Sequence, residues 1–414
     1  MLIISDRKNR QEEKLFNGVW CCALAGLERT MVGGYDQHFK FRSSFSDFLW
    51  EEEKMEKFIQ YLMQEQNETF MPFDTFISYA LYHPVHGYYQ KQRTKIGTKG
   101  DFYTSSHVGE IFGKLVAYYF DRVARCARLP LHICEIGGGD GRFARTVCET
   151  LANLKRDFKY DLIDISTANQ RIASELVNDF QECRVYDSLT AWGEERVGFS
   201  GIFFSNEWLD AQPVKVVKKE QGVIYEIGIS VRDNKLIEAK RPADEVITKF
   251  LDDYEYKFKD GQKMEVPLYM SEQASSLSSY LKKGIIVTVD YGYTHHECSQ
   301  PSRRNGSLRG YKSHQVIDNI LEKPGAYDIT HHVHWDTWEK ISEEKGLQSV
   351  SRTKQNEWLL QLGILDHLKT NTNGDPFSCN QKQNRAIRSF VLGDQMTNSF
   401  DVCIQSKNVS LVCS

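Results

Sequence analysis

Apolar side chains recur at helical spacing in three stretches of the first 130 residues. Residues 47–64 (DFLWEEEKMEKFIQYLMQ) carry apolar side chains at near-helical intervals, which predicts an amphipathic helix. Residues 73–89 (FDTFISYALYHPVHGYY) predict a second helix that stops at Pro84 and Gly87, because proline and glycine interrupt a helix. Residues 108–127 predict a third helix with one apolar face.

A different rhythm begins near residue 131, where short apolar runs alternate with amphipathic stretches. Strands separated by amphipathic helices are typical of a parallel, doubly wound sheet, so the predicted fold class is α/β. Residues 214–243 break the rhythm with short β-rich runs separated by EQG and RDN, which predicts an inserted meander. The α/β pattern resumes at 284–293 (GIIVTVDYGY), a predicted buried strand that ends in Asp290. The predicted strands of the first part are 131–136, 159–165, 183–186 and 200–205, and the predicted helices are 141–154 and 168–180.

The composition disfavours several classes of protein but does not identify the function. The 414 residues carry a formal net charge of −4, so the chain as a whole lacks the excess of positive charge typical of nucleic-acid-binding proteins. Residues 302–312 form a local basic patch. The ten cysteines are scattered without a CxxC pair, which favours reduced thiols over a zinc or disulfide framework. No apolar run reaches the roughly 18 residues of a membrane helix, and GVWCCALAGL is a weak match to a cleaved signal.

The candidate chemistry begins at 131–143 (LHICEIGGGDGRF), where glycines stand between a predicted strand and a predicted helix. The backbone there must turn sharply and let a ligand approach the start of the helix, and Cβ atoms would obstruct both. Gly137, Gly139 and Gly141 are therefore candidate ligand-binding positions. A glycine-rich loop alone does not distinguish this ligand from a dinucleotide.

The charges beside the loop distinguish the ligands. Glu135 precedes the loop and Asp140 lies inside it, so a pyrophosphate gains little there. A ligand with an ammonium group and a cationic sulfur gains from both acids, and S-adenosylmethionine (SAM) is such a ligand. Asp164 follows the second strand, where an acid can accept both ribose hydroxyls, and Asp187 follows the third, at the expected place of adenine. These positions predict a SAM site; NAD binding and a purely structural turn are the alternatives.

Several longer motifs occur in order between residues 55 and 370. The most specific are LYHPVHGYY, GDFYTS and NEWLDAQPV, accompanied by ICEIGGGDGRF, IVTVDYGY, SLRGYKSH, KPGAYDITHHVHW and WLLQLGI. The chain thereby resembles the MidA-like SAM-dependent methyltransferases, a family that includes a mitochondrial complex I assembly factor that methylates an arginine. The resemblance implies a class I methyltransferase (Rossmann-like) sheet with N-terminal helices and a β-rich insertion. It also implies that Gly100, Asp101 and Thr104 lie near the methionine end of SAM.

The sequence departs from the family's usual pattern at four positions. Gly138 stands where the family usually has a proline, and Asp140 stands where it usually has an arginine. His107 takes the place of a glutamate, and Asp164 takes the place of a glutamate that is one methylene longer. We expect the SAM-binding fold to survive these changes, and we expect their effect to fall on the choice of substrate.

The acceptor side is predicted at 203–214 (FFSNEWLDAQPV), after the fourth strand, where class I methyltransferases place substrate-facing groups. Methyl transfer requires positioning and a group that accepts any proton lost. The predicted catalytic residues are Glu207, Asp210 and Asn206: paired carboxylates suit a guanidinium, whose fork of donors they hold, and Asn206 would position an amide or amine. The structural alternatives are that Asp210 caps the next turn and that Glu207 pairs with a lysine. The NPPY motif of enzymes that methylate DNA bases and glutamine is absent, which disfavours those substrates.

The resulting hypothesis is a SAM-dependent methyltransferase that acts on a protein arginine, in a bacterial cytoplasm or a mitochondrial matrix. The alternatives are a non-catalytic assembly or binding protein with the same fold, and a methyltransferase for a small molecule or RNA. We expect a protein substrate as partner and no membrane span. The sequence does not fix the oligomeric state, and a homodimer is one option. His331, His332 and His334 lack a matching acidic or cysteine partner, so no metal is expected.

The predicted domain organisation follows from the same patterns. Residues 1–46 form an extension without a clear period, and residues 47–130 form a helical region that covers the cofactor. Residues 131–213 together with 282–414 form the methyltransferase sheet domain. Residues 214–281 form the inserted meander with a helix, which we expect to contribute to substrate binding.

Overall fold

The computed structural model describes residues 54–65, 68–90, 110–313, 315–370, 378–392 and 399–410. Its helices are α1 (Lys54–Glu65), α2 (Phe73–Tyr82), α3 (Glu110–Cys126), α4 (Arg142–Asn153), α5 (Thr167–Val177), α6 (Leu189–Glu195), α7 (Glu245–Asp253), α8 (Tyr269–Tyr280), α9 (His295–Cys298), α10 (Trp335–Glu344), α11 (Gln355–Gln361) and α12 (Cys379–Leu392). Its strands are β1 (Met71–Pro72), β2 (His132–Ile136), β3 (Lys159–Ile163), β4 (Cys183–Tyr186), β5 (Phe199–Asn206), β6 (Lys215–Glu220), β7 (Val223–Arg232), β8 (Lys235–Pro242), β9 (Lys263–Val266), β10 (Leu281–Tyr293), β11 (Arg309–Lys312), β12 (Gln315–Ile317), β13 (Asp328–Thr330), β14 (Val333–His334), β15 (Gln348–Lys354) and β16 (Phe400–Lys407). Short 3₁₀ helices occupy Tyr88–Gln90, Pro301–Arg303 and Ile364–His367. The predicted extension 1–46 lies outside the described residues.

The central sheet has the strand order β15-β16-β10-β5-β2-β3-β4, with β14 beside the end of β10. Strands β10, β5, β2, β3 and β4 run parallel, whereas β16 is antiparallel to both of its neighbours, β10 and β15. The sheet is therefore mixed, and the expectation of a wholly parallel sheet is corrected at β16. Strand β16 was not predicted, because Asp401, Gln405 and Ser406 interrupt its apolar residues and leave no clear strand pattern.

Helices cover both faces of the central sheet. Because successive side chains of a strand point to opposite faces, Ile202 and Phe204 of β5 join one hydrophobic core and Phe203 joins the other. Helices α3, α4 and α12 bury side chains in the first core, and α6, α8 and α10 bury theirs in the second. This three-layer arrangement confirms the predicted α/β fold class.

A second, antiparallel sheet has the order β1-β7-β6-β9, with β8 paired to β7. Its strands β6, β7 and β8 form the meander that the sequence predicts at 214–243. Helices α1 and α2 pack against this sheet, where Phe58 and Phe76 share a hydrophobic core with Val216 and Ile229. A small third sheet has the order β12-β11-β13.

Several element boundaries differ from the predicted ones. The predicted helix that begins at Phe73 ends at Tyr82, close to its expected stop at Pro84, and a turn and the 3₁₀ helix Tyr88–Gln90 follow. Strand β10 does not end in Asp290: it continues to Tyr293 because its last residues pair with β14. Helix α6 was not predicted, since seven residues are too few for a clear helical period. In the described parts of the chain, we find no helix that is both long and apolar enough to cross a membrane.

Candidate active site

The glycine loop between β2 and α4 has a left-handed backbone, with φ of +73° at Gly137, +57° at Gly139 and +81° at Gly141. Glycine adopts these angles without the clash that a Cβ imposes on other residues. At Gly141 a Cβ would lie 2.8 Å from Cα of Ala173, so glycine allows α4 to begin against α5. At Gly139 a Cβ would meet no heavy atom of the described residues within 4 Å. This side of the loop therefore faces space that a ligand can occupy.

Asp164 lies directly beside the glycine loop, at the carboxyl end of β3. Its Oδ2 accepts a 2.8 Å hydrogen bond from the backbone N–H of Gly139. Its Oδ1 accepts from the N–H of Ser166 at 2.9 Å and from the side chain of Asn169 at 3.2 Å. The structure thus brings the predicted ribose-binding acid and the predicted loop glycine into contact, with the carboxylate held in a fixed orientation.

Glu135 lies beneath the loop, where it is buried. The Tyr160 hydroxyl donates a 2.8 Å hydrogen bond to its Oε2, and a Cβ on Gly138 would lie 3.1 Å from its Cδ. Burial raises the pKa of Glu135 to about 8, against the lowering effect of the Tyr160 hydrogen bond, and the negative charges of Asp164 and Asp140 raise it further. A cation bound at the loop would favour the ionised form of this buried acid.

The predicted cofactor residues also include Asp187, Gly100, Asp101 and Thr104. Asp187 is exposed after β4, and its Oδ1 accepts a 2.9 Å hydrogen bond from the hydroxyl of Ser188. Gly100, Asp101 and Thr104 lie outside the described residues. His107, one of the four departures from the family pattern, lies outside them as well.

Glu207 begins the acceptor turn at the carboxyl end of β5. Its backbone is left-handed, with φ of +55°, a conformation that is uncommon and costly for a residue with a Cβ. Its N–H donates to the carbonyl of Val289 at 2.9 Å, and its Oε1 accepts from Asn206 Nδ2 at 2.9 Å. Asn206 Oδ1 is buried and accepts no hydrogen bond from the described residues. A donor on the acceptor molecule would satisfy that oxygen.

The acceptor turn also contacts the glycine loop. A Cβ on Gly137 would lie 3.5 Å from the side chain of Trp208. Asn206 and Glu207 immediately precede Trp208, so the predicted catalytic residues adjoin the predicted cofactor loop. This is the arrangement that transfer of a group from cofactor to acceptor requires.

Asp290 holds the acceptor turn, a role that sequence reasoning missed. Its Oδ2 accepts from the N–H groups of three successive residues, Trp208 at 3.1 Å, Leu209 at 2.9 Å and Asp210 at 3.3 Å. Burial raises the pKa of Asp290 well above its ordinary value, and the charges of Asp210 and Glu207 add to this. Asp290 therefore caps this turn. The available signal was an aspartate inside the otherwise apolar run VTVDYGY.

Asp210 is buried behind Glu207. The hydroxyl of Tyr291 donates a hydrogen bond to its Oδ2, and its backbone carbonyl accepts a 3.0 Å hydrogen bond from the N–H of His331. Burial raises the pKa of Asp210 to about 6, and the Tyr291 hydrogen bond opposes this increase. A carboxylate with such a pKa is ionised at neutral pH and is more basic than an exposed aspartate.

In the HHVHW stretch, His331 and His334 are buried and His332 is partly buried. The ring of His332 stacks on Tyr293 at 4.1 Å, and His334 Nδ1 shares a 2.8 Å hydrogen bond with the Tyr256 hydroxyl. Burial lowers the pKa of all three histidines, that of His332 to about 3. Within the described ranges, no group of three His, Cys, Asp or Glu side chains is arranged to hold a metal ion.

A glycine loop after the first strand of a doubly wound sheet, an acid after the next strand and an acidic turn beside the loop together define a class I SAM-dependent methyltransferase. The sequence model of a family described as "Putative S-adenosyl-L-methionine-dependent methyltransferase" (Methyltransf_28) matches residues 114–353, more than half of the chain. The chain belongs to this family, which confirms the resemblance drawn from its motifs.

Individual relatives agree with this assignment. "Protein arginine methyltransferase NDUFAF7 homolog, mitochondrial" of Drosophila melanogaster is 24% identical over 315 residues, which cover 67% of each chain. The NDUFAF7 protein of Danio rerio is 24% identical over 317 residues, 69% of this chain and 71% of the relative. A COG1565 superfamily member from Burkholderia thailandensis, crystallised with S-adenosyl-homocysteine, matches with a TM-score of 0.77 at 23% identity over 87% of this chain and 93% of its own. The last comparison confirms the fold.

The residues around the loop fit SAM, the cofactor of this family. Gly139 leaves space beside the loop, and Asp164 is held at the end of β3 where an acid can accept ribose hydroxyls. Glu135 places a buried carboxyl group beneath the loop, which favours a ligand that carries positive charge. Gly137, Gly139, Gly141, Glu135 and Asp164 are therefore among the described residues that would hold SAM.

Proposed function

We propose that this methyltransferase transfers a methyl group to an arginine side chain of a protein. The observation that carries the proposal is the pair of carboxylates on one turn, Glu207 and Asp210, that adjoins the glycine loop through Trp208. An arginine guanidinium stays charged at neutral pH, so carboxylates are the groups that bind and orient it. The relatives named protein arginine methyltransferase support the same substrate class.

Each residue of the turn has a distinct part in this proposal. SAM supplies a methyl group on a cationic sulfur. Glu207 orients the guanidinium by accepting its N–H groups, and Asn206 Oδ1 accepts a further donor. Methylation of a guanidinium nitrogen releases one proton, and Asp210, with its pKa raised to about 6, is suited to receive it. Asp290 and Tyr291 hold the turn and Asp210 in position.

The wider organisation extends the proposal. We assign residues 131–213 and 282–414 to the catalytic sheet domain. We assign residues 214–281 to a substrate region, because β6 begins directly after the acceptor turn and the Tyr269 hydroxyl donates to the Leu209 carbonyl of that turn at 2.9 Å. Residues 47–130 would cover the cofactor, and within them Gly100, Asp101 and Thr104 would lie near the methionine end of SAM. Asp187 would lie near the adenine. The named relatives are mitochondrial, so a mitochondrial location is proposed for a eukaryotic chain and a cytoplasmic one for a bacterial chain.

The test is to label a lysate of cells that lack this protein with the purified enzyme and radiolabelled SAM. The labelled protein is isolated and hydrolysed, and its methylated amino acids are identified by mass spectrometry. We expect methylarginine with the wild type and little label with Glu207→Gln, whose affinity for S-adenosylhomocysteine should equal that of the wild type. Label found only on glutamine, lysine, RNA or a metabolite would refute the arginine assignment.

A further inference from the structure

Asp328 is a buried carboxylate outside the set predicted from the sequence. It begins β13, and 7% of its surface is exposed. Its Oδ1 accepts a 2.7 Å hydrogen bond from the hydroxyl of Tyr89, which lies in the 3₁₀ helix Tyr88–Gln90. Burial of a carboxylate is unfavourable unless it is paired or hydrogen-bonded. The hydroxyl of Tyr89 supplies one such hydrogen bond to this carboxyl group.

Tyr89 forms a stacked pair with Tyr82, and this pair connects the two halves of the active site. The ring centroids are 5.5 Å apart and the ring planes differ by 28°. The Tyr82 hydroxyl donates to the carbonyl of Ala211 at 2.7 Å, next to Asp210 on the acceptor turn. The Tyr89 carbonyl accepts from the hydroxyl of Ser166 at 2.6 Å, on the loop that carries Asp164.

The acids Asp328 and Asp210 lie near the same tyrosine pair. Burial raises the pKa of both tyrosines well above the ordinary value, and the negative charges of Asp328 and Asp210 raise it further. The hydrogen bonds place the acids: Asp328 accepts from the Tyr89 hydroxyl at one ring, and the Tyr82 hydroxyl at the other ring donates to Ala211, the residue after Asp210. A cation that enters here gains from two carboxylates from different elements and from contact with an aromatic face.

We propose that Asp328, held by Tyr89, is a further acceptor-binding residue that receives one edge of the substrate guanidinium while the Tyr82–Tyr89 pair packs against its plane. This inference rests on the proposed arginine specificity and extends it to a carboxylate outside the acceptor turn. A guanidinium carries N–H donors on all three nitrogens. One edge can therefore face Glu207 and the methyl donor while another faces Asp328, which orients the acceptor and takes no part in proton transfer.

The competing role is structural. In that case Asp328 would only hold Tyr89 and the 3₁₀ helix Tyr88–Gln90 in place. Two substitutions separate these roles. Asp328→Asn keeps an oxygen that accepts from the Tyr89 hydroxyl but removes the negative charge. Tyr89→Phe removes the hydroxyl and keeps both the ring and the carboxylate. A structural role predicts greater damage from Tyr89→Phe, and an acceptor-binding role predicts greater damage from Asp328→Asn.

The experiment measures the initial rate of arginine labelling in the same lysate at several lysate concentrations, at saturating radiolabelled SAM. We expect Asp328→Asn to lower the rate at limiting lysate by at least about tenfold, the loss typical of one charged hydrogen bond, and to recover part of it at high lysate. The affinity for S-adenosylhomocysteine by calorimetry and the Tm should stay at the wild-type values. Asp121→Asn is the matched control, because Asp121 is a buried aspartate on α3 that pairs with Arg125 and Arg156.

The outcomes distinguish this inference from the proposed function. Label on arginine at the wild-type rate with Asp328→Asn overturns the inference and leaves the arginine assignment intact. A loss of S-adenosylhomocysteine affinity or Tm in Asp328→Asn, with an equal or larger loss in Tyr89→Phe, also overturns it, because Asp328 is then structural. Label from the wild type on a residue other than arginine refutes the proposed function itself.

Discussion

The backbone N–H of Gly139 donates a 2.8 Å hydrogen bond to the carboxylate of Asp164. The same carboxylate accepts two further hydrogen bonds through its other oxygen, so one side chain joins the glycine loop to the end of β3. Asp164 is also the residue expected to accept from the ribose of SAM. The shape of the loop and the binding of the cofactor are therefore coupled through a single carboxylate.

Substitutions in this pair should weaken cofactor binding. We expect Asp164→Ala to weaken it by about 1–3 kcal/mol, the range for a hydrogen-bonded group that loses its partner. Gly139→Val should abolish it, because a branched side chain fills the space beside the loop and disfavours the left-handed backbone. Calorimetry with S-adenosylhomocysteine measures both effects. Asp179→Ala is the control, since Asp179 is exposed and pairs with Arg145 at 3.6 Å; unchanged affinity in both loop variants would refute the pocket.

The buried acid beneath the loop should make stability depend on pH. Burial raises the pKa of Glu135 from 4.5 to about 8, so the unfolded chain loses this proton at lower pH than the folded protein does. The free energy of unfolding should therefore fall as the pH rises from about 4.5 to about 8. Glu135→Gln cannot ionise and should flatten this fall, as measured by Tm at several pH values in that range.

The matched control for the pH experiment is Glu149→Gln. Glu149 lies on α4, the helix that follows the glycine loop. It is exposed and pairs with Arg145 at 2.8 Å. Its variant should follow the wild-type dependence of Tm on pH. If Glu135→Gln follows it too, Glu135 is ionised in the folded protein throughout this range.

The parallel strands of the central sheet were largely predictable, whereas the antiparallel pair β15 and β16 beside them was not. Apolar runs separated by amphipathic helices identify β2 to β5 because each strand must be buried between two helical layers. Strand β16 leaves no such trace, since the buried polar residues Asp401, Gln405 and Ser406 interrupt its apolar side chains. The extension of β10 to Tyr293 depends on its pairing with β14, some 40 residues further along the chain.

The residues of the candidate site also fall into two groups, those that the sequence predicted and those that it did not. Residues on one short motif, such as Glu207 and Asp210, were found because spacing along the chain places them together. Asp290 contacts the same turn from about 80 residues away, and Tyr89 contacts Asp328 across 239 residues. Such contacts arise from the packing of distant elements, so local patterns carry no signal for the pairing itself.

The left-handed backbone of Glu207 should make function and stability oppose each other. A non-glycine residue at such an angle carries strain of about 1 kcal/mol or more, so Glu207→Gly should raise the free energy of unfolding by up to about 1 kcal/mol. The same substitution removes the carboxylate and should abolish turnover. Thermal unfolding and the labelling assay measure the two effects.

Gln221 provides the control for this trade-off. It has a similar angle, with φ of +51°, in the turn between β6 and β7. Gln221→Gly should raise Tm in the same way and leave turnover unchanged. If Glu207→Gly lowers Tm while Gln221→Gly raises it, the Glu207 side chain contributes more to stability than its strained backbone costs.

The hydrogen bond from Tyr291 to Asp210 should set the acidic limit of catalysis. Burial raises the pKa of Asp210 to about 6, and the hydroxyl of Tyr291 stabilises the ionised carboxylate and so opposes this increase. Because Asp210 receives the proton in the proposed reaction, turnover should fall as the pH drops below about 6. Tyr291→Phe removes the stabilising donor and should move this fall to higher pH, as measured by initial rates at saturating SAM. Tyr293→Phe is the control, since the Tyr293 ring stacks on His332; a limit that stays in place in Tyr291→Phe would exclude Asp210 as the titrating group.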